Sequence, residues 1–452
     1  MAAVLPNDTD MSASLLNVPE TDAAPFVPPI PQTIEETGLT ESFLQQLILK
    51  ILYYRAEAVG RDLAKHLGLN FSIIESTLEY FKLQHLVVVK RSLGMGSVSS
   101  VFALSDQGRV LAMKYLETNT YAGKAPVPLD QYAAAVAAQK RRGNWLSKEK
   151  LRKAFSHMSV SSKILSMLGP AVNSGKTFLI YGQPGNGKTY LAEALVQIES
   201  DPIYIPFAIE CQGQIIQMYD PLYHNRLDDE EEEQSIWMVD KDKVFDGRWF
   251  LAKRPFIATG GELVLEMLDL AYKKDSKTYD APFQLKANNG IYLVDDFGRQ
   301  RCTPAEILNR WIVPMEKSID YFNFLSGGKL SVPLDTFLVF STNLRPEQIG
   351  DEAFLRRIQY KMFMRSPEER EFINIFERYC DGINLPIEPG VLNDFIDRRY
   401  RATKKMFRRC HPRDIVSHAV DLIHFEGKPY KLTFDVLDEA FESTFVSDAY
   451  ED

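Results

Sequence analysis

Four cysteines are all that the 452 residues contain: Cys211, Cys302, Cys380 and Cys410. They lie far apart and form no CxxC pair, which argues against a disulfide framework or a paired-cysteine zinc site. Free thiols in a reducing compartment are the expectation. No apolar run reaches the roughly 18–20 residues needed to span a bilayer. The N-terminus has neither the basic start nor the apolar stretch of a signal peptide. A cytoplasmic protein with no membrane insertion is therefore expected. Positive charge is not in excess either. The 52 Lys and Arg stand against 61 Asp and Glu, a net charge of -9, so there is no general attraction to nucleic acid or anionic membranes. A local basic patch remains allowed. Internal repeats are absent, as is any Asn-Lys-x-Asp run of the kind that reads guanine.

What is present is the composition of an ordinary soluble globular protein, in a chain too long for one compact core. Residues 1–36 are rich in Pro, Ala, Thr and acidic side chains, and Pro25–Pro31 (PFVPPIP) favours extended polyproline geometry. A disordered tail is expected there. In residues 37–120, Phe43, Leu44, Leu47, Ile48, Ile51 and Leu52 recur at helical spacing. Arg61–Leu67 fits a second helix. Ser72–Leu83 fits a third, with Ile73, Ile74, Thr77, Leu78 and Phe81 on one side. Leu86–Lys90 and Val98–Leu104 read as strands around Gly94–Gly96, and Asp106 as the cap of a further helix. Three helices and a hairpin are the order of an α+β winged-helix domain. The third helix carries Glu75 and Glu79 against Lys82, whereas DNA affinity comes largely from Lys and Arg on phosphates. A protein-interaction or regulatory module is favoured. DNA stays as the alternative, because the wing offers Lys90 and Arg91.

Residues 121–144 read as a linker with an Ala-rich helix and basic Lys140–Arg142. From 145 to 365, helices alternate with apolar strands, the pattern of an α/β core with a parallel sheet. An insertion is expected at about 199–290, including Phe256–Leu270 as a strand followed by a helix, with the acidic run Asp228–Glu233 as a solvated loop at its tip. Tyr219 and Tyr223 within it are open to two readings, pore-loop contacts or core. Residues 366–452 read as a helical lid.

The chemistry is carried by three strand ends. The buried strand Thr177–Tyr181 runs into Gly182, Gln183, Pro184, Gly185, Asn186, Gly187, Lys188 and Thr189, followed by a helix over Tyr190–Gln197. This is a GxxxxGK[ST] phosphate loop in strand–loop–helix context. Its glycines let backbone N–H groups turn inward, Lys188 reaches the β- and γ-phosphates, and Thr189 ligates Mg²⁺. Ile291–Val294 is a second apolar strand, ending in Asp295 and Asp296. Placed beside the phosphate-loop strand, it would bring Asp295 to the metal and Asp296 to the attacking water. A third strand, Thr336–Ser341, leads to Thr342 and Asn343, where a polar amide lies at the ligand-binding edge of an open sheet.

That order, followed by Asp351-Glu-Ala-Phe-Leu-Arg356-Arg357, resembles the AAA+ ATPase superfamily from about residue 145 onward. The resemblance implies a P-loop NTPase core with a helical lid, ATP and Mg²⁺ as ligands, and assembly into a homo-oligomeric ring, a hexamer by preference. It implies that Asn343 is the first sensor. Arg356 and Arg357 match the segment that reaches a neighbouring subunit's site. Arg413, in His411-Pro-Arg-Asp-Ile415, matches the second sensor. Tyr190 follows the loop directly and is grouped with the nucleotide-binding residues. The chain departs from the pattern in carrying Asp296 where a glutamate is usual, which puts the hydrolysis rate in doubt, and in its long stretch before Asp295. The latter resembles the branches with inserted hairpins, the MoxR-like group among them. The whole chain also resembles uncharacterised bacterial proteins described as predicted ATPases with chaperone activity. The expected function is ATP hydrolysis that remodels or assembles a protein partner. The alternatives are an ATP-controlled DNA-binding regulator or loader, and a scaffold that binds nucleotide but barely hydrolyses it.

Overall fold

Side-chain alternation fixes the central sheet. In the computed structural model, which describes residues 25–141, 145–156, 158, 160–198, 200–228, 245–350 and 352–445, five parallel strands form this sheet. They are β1 (Phe178–Tyr181), β2 (Phe256–Thr259), β3 (Ile291–Val294), β4 (Phe337–Thr342) and β5 (Tyr360–Phe363), in the spatial order β2-β3-β4-β1-β5. Successive residues of a strand point to opposite faces. Phe178, Ile180, Ile291, Leu293, Phe337 and Val339 accordingly join one core, with Leu168, Val172 and Leu191. Leu179, Tyr292, Val294, Leu338 and Phe340 join the other, with Ile307, Leu308 and Trp311. A sheet buried on both faces explains why these strands read as unbroken apolar runs.

The registers bring the strand ends together. Val294 pairs with Phe340, and Thr342 with Tyr181. The residues that follow β1, β3 and β4, namely Gly182, Asp295 and Asn343, therefore leave the same edge of the sheet. One expectation is corrected here: β3 does not lie beside the phosphate-loop strand, because β4 intervenes. This strand order places Asn343 between the loop and the acids.

The N-terminal unit contains helices Glu41–Arg55, Gly60–Leu67, Phe71–Leu83 and Asp106–Leu116, and strands Val87–Ser92 and Ser100–Leu104. A third strand, Glu57–Val59, makes its sheet three-stranded instead of a simple hairpin. Three residues with only Ala58 buried leave no periodic signal. The last helix is capped by Ser105, not Asp106: its Oγ accepts from Gly108 N–H at 3.0 Å. Gly108 is required, as a Cβ there would lie 1.9 Å from the Leu86 carbonyl oxygen.

Three boundaries differ from expectation. Within the tail, the segment from residue 25 is packed: Phe26 meets the rings of Tyr204 and Trp249 edge-on, each at 6.4 Å, and Ile34–Thr37 is helical. Residues 1–24 lie outside the described residues, as do residues 229–233 of the acidic run. Residues 121–141 are no linker, since Val127–Pro128 pairs with Ala208–Cys211 and helix Leu129–Ala138 packs into the same apolar cluster, while residues 142–144 lie outside the described residues. Phe256–Thr259 belongs to the central sheet as β2, not to the insertion, and Leu265–Leu268 after it is a short 3₁₀ turn. The inserted material is a second sheet built from Val127–Pro128, Ala208–Cys211, Gln214–Gln217, Ala271–Lys273 and Thr278–Asp280, together with a long-range antiparallel pair, Ile203–Pro206 with Trp249–Ala252, and a hairpin. The hairpin, Ile319–Asn323 with Lys329–Pro333, follows the acids and was not anticipated. Buried Arg248 ties these parts together. It pairs with Asp246 at 2.8 Å and donates to Thr37 O at 2.8 Å and to Gln131 Oε1 at 3.2 Å.

Helices Glu369–Gly382, Val391–Ile396, His411–Glu426 and Phe434–Thr444 close over a core of their own, around Phe372, Phe376, Phe395 and Tyr400. Among the described residues, no helix is long and apolar enough to cross a membrane.

Candidate nucleotide site

Glycine conformations shape the phosphate loop. Gly182 has φ 147°, and a Cβ on it would lie 2.4 Å from Met364 O at the end of β5. Gly185 and Gly187 have φ of 76° and 80°, which L side chains rarely adopt. The loop ends at Lys188, the first residue of an α-helix (Lys188–Glu193) that continues as a 3₁₀ turn, Ala194–Gln197. Asn186 is wholly buried, donates to Ser366 Oγ at 3.3 Å, and so ties the loop to the start of the lid.

Lys188 is 6% exposed. Its Nζ donates to Gln183 O at 3.0 Å and to Asn343 Oδ1 at 2.7 Å. Burial holds its pKa below the usual lysine value, Arg408 pushes the same way, and Asp296 and Asp295 oppose them. Asn343 Nδ2 in turn donates to Asp296 Oδ1 at 2.6 Å. Thr189 Oγ1 donates to the Asp295 carboxylate, with distances of 3.0 and 2.9 Å to its two oxygens. The loop, the two acids and Asn343 thus form one connected group.

A sharp turn after β3 aims the acids. Asp296 has φ 49°, a left-handed conformation that Asp tolerates better than most residues. Gln300 braces the turn: its Nε2 donates to Asp295 O at 2.8 Å, and its Oε1 accepts from Gly298 N–H at 2.7 Å. Sequence reasoning missed Gln300.

The remaining residues are placed less directly. Tyr190 is exposed on the helix after the loop. Arg356 is exposed and pairs with Glu352 at 2.9 Å, and Arg357 donates to Glu316 at 2.6 Å. Arg413 donates to its neighbour Asp414 at 2.8 Å and points to solvent. The lid residues that touch the loop come earlier. Arg408 Nη1 donates to Pro184 O at 3.0 Å, its Nη2 to Gln183 Oε1 at 3.3 Å, and Cys410 N–H to Gly185 O at 2.9 Å. The basic run Lys404–Arg413 was a signal for this segment, but it does not say which arginine points inward. Tyr219 and Tyr223 both pack in aromatic clusters, Tyr219 on Phe207 and Phe250, Tyr223 on Phe283. A cavity of about 180 Å³ lies at the opposite ends of the strands, against Thr177 and Thr336, away from this chemistry.

The donor set suits Mg²⁺. A hydroxyl and a carboxylate converge, both hard oxygen ligands. Among the described residues there is no group of three or more His, Cys, Asp or Glu that would hold a metal unaided. A metal at Thr189 and Asp295 would complete its shell with water and phosphate oxygens.

Residues 368–443, in the lid, match a family described as a domain of unknown function (DUF8689). No curated protein matches the chain. Among solved structures, the chain is similar to NtrX from Brucella abortus, at 13% identity and TM-score 0.37, over 74% of this chain and 61% of that one. It is also similar to RuvB of Thermotoga maritima, a Holliday junction branch migration motor, at 14% identity and TM-score 0.34, over 67% of this chain and 72% of that one. The chain thus spans less than two thirds of the NtrX chain. Likenesses of this size carry no functional weight, and what the site can do follows from its own residues.

Proposed function

We propose that the protein binds Mg-ATP at Gly182–Thr189 and hydrolyses it. The observation that carries this is the contact chain from Lys188 through Asn343 to Asp296, with Thr189 on Asp295 beside it. Lys188 binds the β- and γ-phosphates. Thr189 and Asp295 would hold Mg²⁺, which would offset charge on the phosphate oxygens. Asn343 positions the attacking water and Asp296 accepts its proton. A bond forms between the water oxygen and the γ-phosphorus, and the bond from that phosphorus to the bridging oxygen breaks, releasing ADP and phosphate. Replacing Lys188 with Ala should abolish or greatly weaken ATP binding measured by calorimetry. Nearly unchanged affinity would remove the nucleotide reading.

We read the wider role as remodelling or assembly of a protein partner by an AAA+ type homo-oligomer, with residues 37–120 as a winged-helix adaptor. The surface of that unit supports a protein partner. Leu83, Val88, Val89, Leu93 and Met95 are exposed on and beside its hairpin. The positive charge a DNA reader needs is offset nearby: Lys82 pairs with Glu79 at 2.7 Å and Arg91 with Glu57 at 3.0 Å.

A further inference from the structure

The cations of the nucleotide site include one that no motif names. Arg408 lies in the loop before helix His411–Glu426, five residues ahead of the arginine that the sequence pattern selects. Its guanidinium donates to Pro184 O at 3.0 Å and to Gln183 Oε1 at 3.3 Å, both on the outer turn of the phosphate loop. The same segment is fixed on either side. Arg409 donates to Arg365 O at 2.6 Å and pairs with Glu371 at 2.7 Å, both side chains largely buried. Cys410 N–H donates to Gly185 O at 2.9 Å, and its Sγ lies 2.6 Å from where a Cβ on Gly185 would be. The lid therefore grips the loop itself.

Charge gives this contact a consequence. Asp295 and Asp296 face Lys188, and Arg408 is the further cation near enough to weigh on it. Lys188 is one side-chain cation against two carboxylates, and Arg408 adds a second beside whatever charge Mg²⁺ on Thr189 and Asp295 would bring. A guanidinium has five N–H donors in a planar fork. Pro184 and Gln183 engage two of its nitrogens. The fork has further donors to offer a phosphate oxygen. Arg413, by contrast, pairs with Asp414 at the surface.

We propose that Arg408 is a nucleotide-retention residue: acting from the lid, it holds the phosphate loop and adds a second cation to the phosphate site, so that nucleotide leaves only when the lid segment lifts. This rests on the Mg-ATP reading above. Charge-assisted hydrogen bonds are the strong ones, and affinity changes between related complexes fall mostly on dissociation.

The test uses the full chain, calorimetry with ATP, and stopped-flow chase of a fluorescent ATP analogue. Arg408→Ala should raise the ATP dissociation constant by about tenfold or more, chiefly through faster release. Arg408→Lys, which keeps charge but loses the fork, should regain part of the affinity and still release faster than wild type. Gln183→Ala, a mild change at an exposed side chain, should speed release by about threefold. Arg413→Ala, at the arginine the sequence pattern selects, should speed release less than Arg408→Ala does. The proposal is overturned if release and affinity stay within about twofold of wild type in Arg408→Lys and Gln183→Ala, or in a folded Arg408→Ala, while Lys188→Ala loses binding. It is equally overturned if Arg413→Ala matches Arg408→Ala. If Lys188→Ala binds ATP normally, the nucleotide reading itself fails, a distinct result.

Discussion

Lys188 Nζ and Asn343 Oδ1 are 2.7 Å apart although 155 residues separate them in sequence. The amide orientation is set by what lies on each side. Its oxygen faces an ammonium that can only donate, and its nitrogen faces the Asp296 carboxylate at 2.6 Å, which only accepts when ionised. Asn343 therefore connects the loop lysine to the Asp296 carboxylate, the two groups to which the proposed mechanism gives phosphate binding and proton acceptance.

The two acids should separate binding from hydrolysis. In Asp296→Asn the side-chain oxygen can still accept from Asn343, so the fold and ATP affinity should persist. Hydrolysis should fall by about 10²–10⁴, the usual contribution of a positioned general base. Asp295→Asn should also raise the Mg²⁺ concentration needed for half-maximal turnover, because it removes the carboxylate beside Thr189. ATP turnover at wild-type rate in Asp296→Asn would remove the proton-acceptor role.

Duplex DNA should bind the full chain no better than micromolar at physiological salt, within the range of non-specific binding. Salt titration by fluorescence anisotropy measures this. Sequence-specific nanomolar binding would favour the regulator or loader over the protein remodeller.

The phosphate loop was legible because its chemistry is local: glycines, lysine, threonine and a preceding apolar strand occupy one short stretch. The acids and Asn343 were legible as strand ends, but not their spatial order. A buried strand reads the same wherever it lies in a parallel sheet, and the placement of β4 between β1 and β3 is a tertiary fact. Asp295 near Thr189 follows only from that placement. The lid contact at Arg408 was not read from the sequence. Arg408 and Arg413 differ not in type but in what faces them, Pro184 O in one case and Asp414 in the other. Segments held by a few long-range contacts were misread as linker or tail. Val127–Pro128 is two residues long, and Phe26 is anchored by rings more than 170 positions away.

Stability of the lid should depend on pH through His411. This residue is buried, and Tyr400 OH lies 2.9 Å from its Nδ1. Burial first, then Lys405 and Arg408, lower its pKa to about 4, with Asp414 opposing. Folding thus favours the neutral ring. Its contribution is intact above about pH 6.5, the unfolded value, and is lost as pH falls from there toward about 4, because the unfolded chain takes up a proton that the folded one refuses. His411→Gln should flatten this part of the melting-temperature profile while leaving a polar partner for Tyr400. A wild-type profile with no slope between pH 6.5 and 4, after subtraction of the variant's, would contradict the assignment.

The active site should be shared between subunits. Within one chain, Arg357 donates to Glu316 and Arg356 pairs with Glu352 at an exposed surface. An arginine supplied by a neighbour stabilises charge on the transferring phosphoryl group and contributes about 10³–10⁵ in rate. A lone subunit should then bind ATP but turn it over slowly, and turnover per subunit should rise with protein concentration as subunits associate. An Arg356→Ala/Arg357→Ala double variant should be nearly inactive, as should Lys188→Ala. Mixing them should restore activity, because an assembly of both contains sites in which an intact loop meets an intact arginine. Glu316→Ala serves as the control, since it removes the Glu316 contact to Arg357 within the same chain. If Arg357 serves only that internal bond, Glu316→Ala should reproduce the thermal destabilisation of the arginine variant. If Arg357 acts on a neighbour, Glu316→Ala should keep most of the turnover. Specific activity that is flat across concentrations that change the oligomeric state, with no recovery on mixing, would reduce Arg356 and Arg357 to surface ion pairs.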